Sequence, residues 1–431
     1  MRLIGNMEIK DNVLYIGGIS AEKLVKDYKT PLYVIDEKLV RDKCKRYYKA
    51  FKAHKNNKVT YAGKAFLNLA MCQIINSEGL YLDVVSEGEL YTALKSGFPM
   101  KKIYFHGNNK TLEEIEMGID LEVGRFVVDN LYEMDKINFL AKAKGKIQKI
   151  LLRVTPGIEA HTHEYIKTGQ IDSKFGFTMV NGETMDVVKK AIGLSNIKLT
   201  GIHCHIGSQI FETKPYEDEV EIMLDLVRRI KDETGYEVEE LDLGGGFGIY
   251  YTPEDKPKTV EDFCSIILER AELKSKELNI RLPSLVIEPG RSIIGNAGTT
   301  LYTIGAIKEI PGIRKYVSVD GGMVDNIRPA LYNAPYECAI ANRVEDSNKE
   351  KVTIAGKCCE SGDILIKDIQ LPEIQSGDIL AVFTTGAYGY SMASNYNKIP
   401  IPAVVLVKDG EAKLISKRQS FDNMIENQIM L

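Results

Sequence analysis

Eight short apolar stretches along the first two thirds of the chain constrain the fold more than any other feature. Each is rich in β-branched or aromatic residues, and longer segments with helical periodicity separate them. In chain order they are KVTYAG near 60, LYLDVVS near 82, KIYFHG near 104, RFVVDN near 127, ILLRVTPG near 152, LTGIHCHIG near 202, ELDLGGG near 242 and SLVIEPG near 286. Spacings of roughly 22 to 26 residues, and then roughly 40 to 50, accommodate a strand, a helix and loops. The pattern predicts an eight-stranded β/α (TIM-like) barrel over residues 36–290.

The intervening segments support this interpretation. The longest of them, PYEDEVEIMLDLVRRIKDETG, carries acids early and bases late, as the helix dipole favours. Its apolar residues recur at helical spacing and predict one buried face, made of Val220, Met223, Leu224, Val227 and Ile230.

The pattern changes after about residue 291. Stretches such as TTLYTIGAI, GDILAVFTTG and PAVVLVKDGEAKLISK alternate apolar and polar residues between Gly/Asp turns, which is typical of antiparallel strands. The N-terminal stretch NVLYIGGI is also strand-like. The chain is therefore predicted to be α/β plus all-β: the barrel, and a C-terminal antiparallel β domain that comprises residues 1–35 and 291–431.

Composition excludes several classes of partner. A net charge of -4 without clustered Lys and Arg argues against nucleic acid or an anionic membrane. The N-terminus lacks a signal-peptide core, and no window reaches eighteen apolar residues, so no membrane span is expected. Seven cysteines without CxxC spacing argue against a disulfide framework or a structural zinc site. We expect a cytoplasmic protein that acts on small molecules.

Polar residues stand at the carboxyl ends of four predicted barrel strands. These are Lys64, the pair His203 and His205, the glycines of LDLGGGFG, and the EPGR element that begins at Glu288. In β/α barrels that end carries the catalytic groups. The sequence therefore predicts an active site there.

Two of these elements leave alternatives open. The GGGFG run can bring backbone N–H groups to a phosphate, or it can be only a tight turn; a dinucleotide site is disfavoured because its strand is seventh. The HCH element can supply metal ligands, but no later strand end offers further His and Asp ligands. Strand alternation places His203 and His205 on one face and Cys204 on the other. An imidazole on that face could lie against an aromatic cofactor.

The other two elements are also ambiguous when taken singly. Lys64, between small residues at a barrel mouth, would be partly desolvated, which suits Schiff-base chemistry, although most lysines are only surface cations. Glu288 could keep a pyridine nitrogen protonated, or it could simply pair with Arg291. Lysine, carboxylate, glycine N–H groups and a stacking histidine are together what a pyridoxal phosphate site requires.

The ordered motifs YAGKAF, HCHIGSQ, LDLGGGFG, EPGR, CCESGD and GAYGYSMASNYN resemble those of the fold-type III pyridoxal-phosphate decarboxylases. The likeness runs from about residue 30 to 400 and implies a β/α barrel with a β domain, the cofactor pyridoxal 5'-phosphate and no metal. The segment 157–176 and DNIRPALYNAPYE resemble the members that act on meso-diaminopimelate. The implied reaction removes the carboxylate at the D-centre, and gives L-lysine and carbon dioxide.

The resemblance also implies roles for individual residues. Lys64 would bind the cofactor as a Schiff base, His205 would stack on its ring, and Glu288 would bond the pyridinium nitrogen. Tyr388 would contact both cofactor and substrate. The phosphate would be held by Ser208, Gly244, Gly245, Gly246, Gly290 and Arg291.

The substrate's second amino-acid centre brings an extra carboxylate and an extra ammonium, and leaving either unpaired in a secluded site is costly. Arg328 and Arg291 can fork onto that carboxylate, Tyr332 can add a hydroxyl, and Glu360 can accept from the ammonium.

The CCESGD element implies an acid and a partner chain. In this family its cysteine, here Cys359, protonates the product carbanion and comes from the neighbouring subunit, which implies a homodimer with Cys359 and Glu360 donated across the interface. The chain departs from the family at Lys357, where proline is usual, and at Cys358, where an apolar residue is common. We expect Cys358 to pack and to make the loop more prone to oxidation.

Other functions remain open from sequence. A related decarboxylase of the same fold type, acting on arginine, ornithine or carboxynorspermidine, is the first alternative, and Arg328 is the residue that discriminates against it. A racemase or a non-catalytic cofactor-binding relative is the second, and a two-histidine metal hydrolase is a distant third.

Overall fold

Residues 2–52, 56–158, 173–179 and 182–431 are described by the structure, which is a computed structural model. The chain divides into a barrel unit, Lys43–Gly248 with Pro257–Arg291, and a β unit, Met1–Asp42 with Ile249–Lys256 and Ser292–Leu431. The β unit thus takes in an eight-residue piece of chain that the sequence places between two barrel strands. Most of the 157–176 motif lies outside the described residues.

The strands, in chain order, are β1 (Met7–Lys10), β2 (Val13–Ile16), β3 (Ile19–Ser20), β4 (Leu32–Asp36), β5 (Lys58–Ala62), β6 (Tyr81–Val84), β7 (Ile103–Phe105), β8 (Arg125–Val128), β9 (Gln148–Thr155), β10 (Phe177–Thr178), β11 (Ile197–His203), β12 (Glu240–Asp242), β13 (Ser284–Ile287), β14 (Gly298–Ile310), β15 (Arg314–Val319), β16 (Cys338–Ile340), β17 (Lys349–Ala355), β18 (Ile364–Pro372), β19 (Ile379–Phe383), β20 (Ala403–Lys408) and β21 (Glu411–Ser416). The α-helices are α1 (Ala21–Tyr28), α2 (Glu37–Tyr47), α3 (Leu69–Ser77), α4 (Glu87–Lys95), α5 (Leu112–Asp120), α6 (Leu131–Ala143), α7 (Glu183–Gly193), α8 (Lys214–Thr234), α9 (Val260–Glu277), α10 (Arg291–Ile294), α11 (Arg328–Tyr332) and α12 (Phe421–Ile425).

The barrel unit is built on a closed parallel sheet. Its strands follow the order β9-β11-β12-β13-β5-β6-β7-β8, and β8 pairs with β9 to close the ring. The two-residue strand β10 adds to β9. All eight predicted strands are present, which confirms the barrel prediction.

Helix α8 shows why the outer layer forms where the sequence predicts it. The five residues of its predicted apolar face are all buried, and the helix ends at Gly235, whose φ of 71° lies in the left-handed region that glycine tolerates. Among the helices of the described residues, none is both long and apolar enough to cross a membrane.

A buried acid occupies the amino end of the barrel. Glu240 accepts a hydrogen bond of 2.6 Å from Nε of Arg125 and one of 3.0 Å from the Tyr104 hydroxyl, and it pairs with Lys58. Because two cations and a phenol satisfy this carboxylate, its burial is compensated. This ion cluster therefore has a structural role at the amino end of the barrel. The catalytic groups of β/α barrels lie at the opposite, carboxyl end.

The β unit contains a nine-stranded sheet and a three-stranded sheet, β1-β2-β3. Strand β14 forms the centre of the larger sheet and pairs with β4, β15 and β19, all antiparallel. The predicted antiparallel pairing is found in most of this sheet, but β20 runs parallel to β4 and β17 runs parallel to β15. Parallel neighbours need long connections, and both pairs are joined by long stretches of chain.

Candidate active site

The carboxyl ends of the barrel strands bring a cluster of polar side chains together. Asp83 lies at the end of β6, His106 follows β7, His203 ends β11 and Glu288 follows β13. All four are buried. Because the strands are parallel and the sheet is closed, these ends meet at one mouth of the barrel.

Glu288 lies at the centre of the cluster. Its Oε2 is 3.3 Å from Nε2 of His203, and its Oε1 is 2.8 Å from Nε2 of His106. Burial acts to raise the pKa of Glu288, but the two imidazoles outweigh it and hold the pKa well below its usual range. Burial likewise lowers the pKa of His203 to about 4. Glu288 is therefore an ionised carboxylate held between two histidines.

One oxygen of this carboxylate retains hydrogen-bonding capacity. Although Oε1 is close to His106, the contact lacks the alignment of a hydrogen bond, and no other group of the described residues bonds to it. A buried anionic acceptor of this kind suits a charged N–H donor such as a pyridinium nitrogen. The cluster therefore fits the aromatic ring of the predicted cofactor.

A glycine turn follows β12 beside this carboxylate. A Cβ on Gly245 would collide with the backbone oxygen of Glu288, and one on Gly246, whose φ is 94°, would collide with the backbone oxygen of Gly207. Only glycine permits so close a backbone approach and a positive φ here. The Ser208 hydroxyl accepts a hydrogen bond of 2.8 Å from Nη2 of buried Arg291. The N–H groups of Gly244 and Gly245 donate to Oδ1 of Asp242 and Nδ1 of His205, and Gly246 is only half-buried. A glycine turn beside a hydroxyl and a guanidinium suits a phosphate.

His205 is fixed in one tautomer by the same turn. Its Nδ1 accepts a hydrogen bond of 3.2 Å from the Gly245 N–H, so the ring proton of the neutral imidazole resides on Nε2. Burial, and then the charge of Lys64, lower its pKa well below the usual range. His205 is thus a neutral ring, which can stack on an aromatic cofactor without adding charge.

Lys64 lies in a 3₁₀ turn, Gly63–Ala65, that follows β5 directly. Its side chain is exposed while Gly63 and Ala65 are buried, so the expectation of partial desolvation is wrong. The charge of Lys64 nevertheless reaches the buried site, because it lowers the pKa of His205. Gly290 packs against this turn, since a Cβ there would lie 2.9 Å from the Cβ of Ala62.

Two acids that interact with Lys64, Asp83 and Glu89, were not predicted from the sequence. Burial raises the pKa of Asp83, and it raises that of Glu89 to about 7; the charge of Lys64 acts in the opposite direction on both. Asp83 is the last residue but one of β6, within LYLDVVS, and His106 directly follows β7, within KIYFHG. Their position at strand ends was the available signal, but neither belongs to a distinctive motif.

Cys204 faces away from the other two members of HCH. Its thiol donates to Oε1 of Glu219 on α8 at 3.0 Å, and both side chains are fully buried. His203 instead bonds Glu288, so His203 and Cys204 have different partners, as the predicted alternation requires, while His205 lies beyond the end of β11. Burial raises the pKa of the Glu219 carboxyl to about 8.

Glu219→Gln is expected to change how stability depends on pH. The Glu219 carboxyl titrates near 4.5 when unfolded, so its folded pKa of about 8 means that the native state binds the extra proton between these values. Stability is therefore full below pH 4.5 and falls as pH rises through 8, by about 1.4 kcal/mol for each unit of pKa shift. The variant should gain stability over the wild type at pH 8 to 9, measured by urea unfolding. Glu217→Gln, on the same helix but half exposed, is the control; an equal gain there would contradict the assignment.

Except for Arg291, which belongs to the barrel unit, the predicted substrate residues lie in the β unit. Arg328 begins α11 and is buried, Tyr332 ends that helix and is half-buried, and Tyr388 is half-buried with a φ of 61°. Nη1 of Arg328 donates to the hydroxyls of Tyr251, at 3.0 Å, and Tyr336, at 2.6 Å. In the described part of the chain no carboxylate lies within ion-pair distance of this guanidinium. A buried cation without a counter-ion favours an anionic ligand.

The CCESGD loop, also in the β unit, is organised by its last residue. Asp363 is buried, and its carboxylate accepts hydrogen bonds from the N–H of Met323, at 2.6 Å, and of Cys358, at 2.8 Å. The N–H of Cys359 donates to Oδ1 of Asn397 at 2.8 Å. These bonds hold the loop while the side chains of Cys359 and Glu360 remain exposed.

The adjacent cysteines differ in environment. Cys358 is half-buried, and burial together with Asp363 raises the pKa of its thiol to about 12. A thiol that stays protonated is slow to oxidise, so the expectation that Cys358 makes the loop oxidation-prone is not supported. Its partial burial agrees with a packing role.

Barrel and site together define the class of the pyridoxal-dependent decarboxylases. The family profile described as the pyridoxal binding domain of pyridoxal-dependent decarboxylase matches residues 37–295, which is more than half of the chain. Among curated relatives, diaminopimelate decarboxylase of Bacillus subtilis (strain 168) is 51% identical over 414 residues, which cover 96% of this chain and 94% of that protein. The chain belongs to this family and, within it, to the diaminopimelate decarboxylases.

Solved structures agree with this assignment. Diaminopimelate decarboxylase from M. jannaschii, crystallised in complex with L-lysine, superposes with a TM-score of 0.93 at 39% identity, and covers 99% of this chain and 98% of its own. Lysine/ornithine decarboxylase from Vibrio vulnificus, complexed with putrescine, has a TM-score of 0.77 at 21% identity, with 90% of this chain and 97% of that one covered. The second likeness concerns the fold alone.

Proposed function

We propose that the protein decarboxylates meso-2,6-diaminopimelate at its D-centre to give L-lysine and carbon dioxide, the last step of lysine biosynthesis, with pyridoxal 5'-phosphate as cofactor. Family membership supports the reaction class. The observation that carries the choice of substrate is Arg328, a buried cation with only neutral partners in the described residues. Diaminopimelate retains a carboxylate at its far end, and a buried guanidinium satisfies such a group best.

Each cofactor residue has a distinct task. Lys64 would hold the cofactor covalently through Nζ, Glu288 would accept a hydrogen bond from the ring nitrogen, and His205 would lie against the ring. The phosphate would be bound by Ser208, Gly244, Gly245, Gly246, Gly290 and Arg291, with Tyr388 contacting cofactor and substrate. Bound pyridoxal phosphate supplies an electron sink for the electron pair that remains when carbon dioxide departs. The two histidines beside Glu288 keep its carboxylate ionised, as that hydrogen bond requires.

The substrate's far centre would be recognised by charge. Arg328 and Arg291 would bind its carboxylate, with a hydroxyl from Tyr332, and Glu360 would accept from its ammonium. Cys359 would protonate the carbon that loses carbon dioxide. Glu360 and Cys359 are neighbours on a loop that exposes both side chains, as a shared role requires.

We propose a homodimer in which Cys359 and Glu360 enter the partner's active site. Exposed apolar side chains at the first position of α3, α5 and α6, all at the carboxyl end of the barrel, support a subunit contact there: Leu69, Leu112 and Leu131. All seven cysteines are free, which fits a reducing compartment, and we propose the cytoplasm.

The test is substrate choice. Carbon dioxide release should be rapid from meso-diaminopimelate and slow from the LL isomer, ornithine and arginine. Arg328→Ala should lower kcat/KM for meso-diaminopimelate by about 100-fold or more, the scale for removing one charged partner of a buried pair. Two results would instead support a related basic amino-acid decarboxylase. One is faster carbon dioxide release from ornithine or arginine than from meso-diaminopimelate, and the other is an Arg328→Ala variant with unchanged activity.

A further inference from the structure

Among the described residues, the Arg328 guanidinium is held by two tyrosines and by no acid. Tyr251 and Tyr336 are about as buried as Arg328 itself, with exposed fractions of 5%, 4% and 8% respectively. Both hydroxyls accept hydrogen bonds from the same nitrogen, Nη1, and the guanidinium also lies 5.1 Å from the Tyr251 ring centroid. The two rings meet edge to face, with centroids 5.4 Å apart, so each fixes the other.

This support orients the cation without neutralising it. A carboxylate partner would have offset the charge of Arg328 and competed with an anionic ligand, whereas a phenol hydroxyl accepts a hydrogen bond and remains neutral. Both hydroxyls bond Nη1, and no hydrogen bond joins Nη2 to any of the described residues, so the Nη2 edge is left for a ligand. A planar guanidinium held in this way loses little entropy on binding.

The residue that precedes Tyr251 in the sequence bonds a different kind of partner. The hydroxyl of Tyr250, one residue earlier, donates instead to the carboxylate of Glu337 at 2.8 Å. Tyr250 and Tyr251 therefore present two phenols to different partners, an acid and a base. This pair provides a matched comparison within one segment of the β unit.

We infer that Tyr251 and Tyr336 are specificity-determining positioning residues, which hold Arg328 as a pre-oriented but uncompensated cation for the far carboxylate of an amino-acid substrate. The inference rests on the proposed function, since it assumes that Arg328 binds that carboxylate. In this role each tyrosine acts through its hydrogen bond to Arg328.

Two ligands separate this role from a merely structural one. L-Lysine keeps the far carboxylate of the substrate, whereas 1,5-diaminopentane has the same chain and both amines but no carboxylate. Loss of the tyrosine hydroxyls should weaken binding only of the ligand that carries the carboxylate.

The experiment measures binding of both ligands to the holoenzyme by calorimetry, for the wild type, Tyr336→Phe, Tyr251→Phe, the double variant and the control Tyr250→Phe. Each single variant should weaken L-lysine by about tenfold, and the double variant by more, with 1,5-diaminopentane unchanged and KM for meso-diaminopimelate raised at nearly constant kcat. Tyr250→Phe should match the wild type in all of these.

Equal weakening of both ligands, or no change in either, would overturn the inference. Arg328→Lys separates this failure from that of the proposed function. If Arg328→Lys weakens L-lysine selectively while the tyrosine variants do not, the tyrosines are not positioning residues. If it affects neither ligand, Arg328 does not bind the carboxylate and the proposed substrate fails as well. Unfolding midpoints of all variants identify any that lose the fold, and each single variant tests the inference by itself.

Discussion

Replacing Lys64 with alanine is expected to lower carbon dioxide release from meso-diaminopimelate by about 10⁴-fold or more, the scale seen when a group that acts with others in one catalytic unit is removed. Lys64 would hold the cofactor covalently, and no other group at this turn offers an amine. Because its side chain is exposed, truncation creates no cavity, and the loss cannot be attributed to unfolding. The measurement is the rate of release, together with the visible absorbance of the bound cofactor, which should shift in the variant.

Lys101→Ala provides the control for Lys64→Ala. Lys101 is also an exposed lysine in a 3₁₀ turn of the barrel unit, but its turn precedes β7 and lies at the amino end of that strand. This variant should keep both the rate and the absorbance of the wild type. A Lys64→Ala enzyme that retains more than about a tenth of the wild-type rate would contradict a covalent role for Lys64.

Cys359→Ala is expected to reduce the rate by about 10²- to 10⁴-fold, because a positioned acid contributes about this much to proton transfer. Cys358→Ala is the matched control, since it removes the same group one residue earlier on the same loop. Its half-buried thiol, with a pKa of about 12, bonds within the loop, and its removal should cost little activity. Equal losses in the two variants would show that the loop, not the Cys359 thiol, is what matters.

Mixed dimers extend the Cys359 prediction to the subunit arrangement. Co-expressed Lys64→Ala and Cys359→Ala chains, each nearly inactive alone, should together recover about a quarter of the wild-type activity. Half of the dimers are then mixed, and each mixed dimer contains one site with both residues intact. If each chain supplied its own Lys64 and Cys359 to one site, mixing would restore nothing, and the shared site would be wrong.

The barrel was predictable because its signal is local. Each buried strand is a short run of β-branched and aromatic residues, and the spacing between runs is set by the helix that must return the chain. The site residues that stand at strand ends, such as Lys64, His205 and Glu288, were predictable for the same reason. Helix α8 followed from periodicity alone, and all five residues of its predicted face are buried.

The partners of these residues were not predictable. His106 and His203 lie within 2.8 and 3.3 Å of the Glu288 carboxylate from strands far away in the chain, so only closure of the barrel decides which strand ends meet. The exposure of Lys64 depends on the 3₁₀ turn that contains it. Its small neighbours, Gly63 and Ala65, permit such a turn but do not require it, so the turn was not predictable. The parallel pairing of β4 with β20 joins the two ends of the chain. The alternation of residues along a strand does not indicate whether its neighbour runs parallel or antiparallel to it.

By itself, the sequence determined the class of fold, the positions of the strands and the types of residue at their ends, because hydrophobic periodicity and motif spacing are properties of neighbouring residues. The tertiary structure alone decided which charges are paired. Glu288 is kept ionised by two histidines, whereas Arg328 is bonded by two phenols, one of them 77 residues away in the chain, and is not neutralised. Burying a charge is costly unless a partner lies close to it. Which partner is close depends on distances across the folded core, and local sequence patterns do not predict those distances.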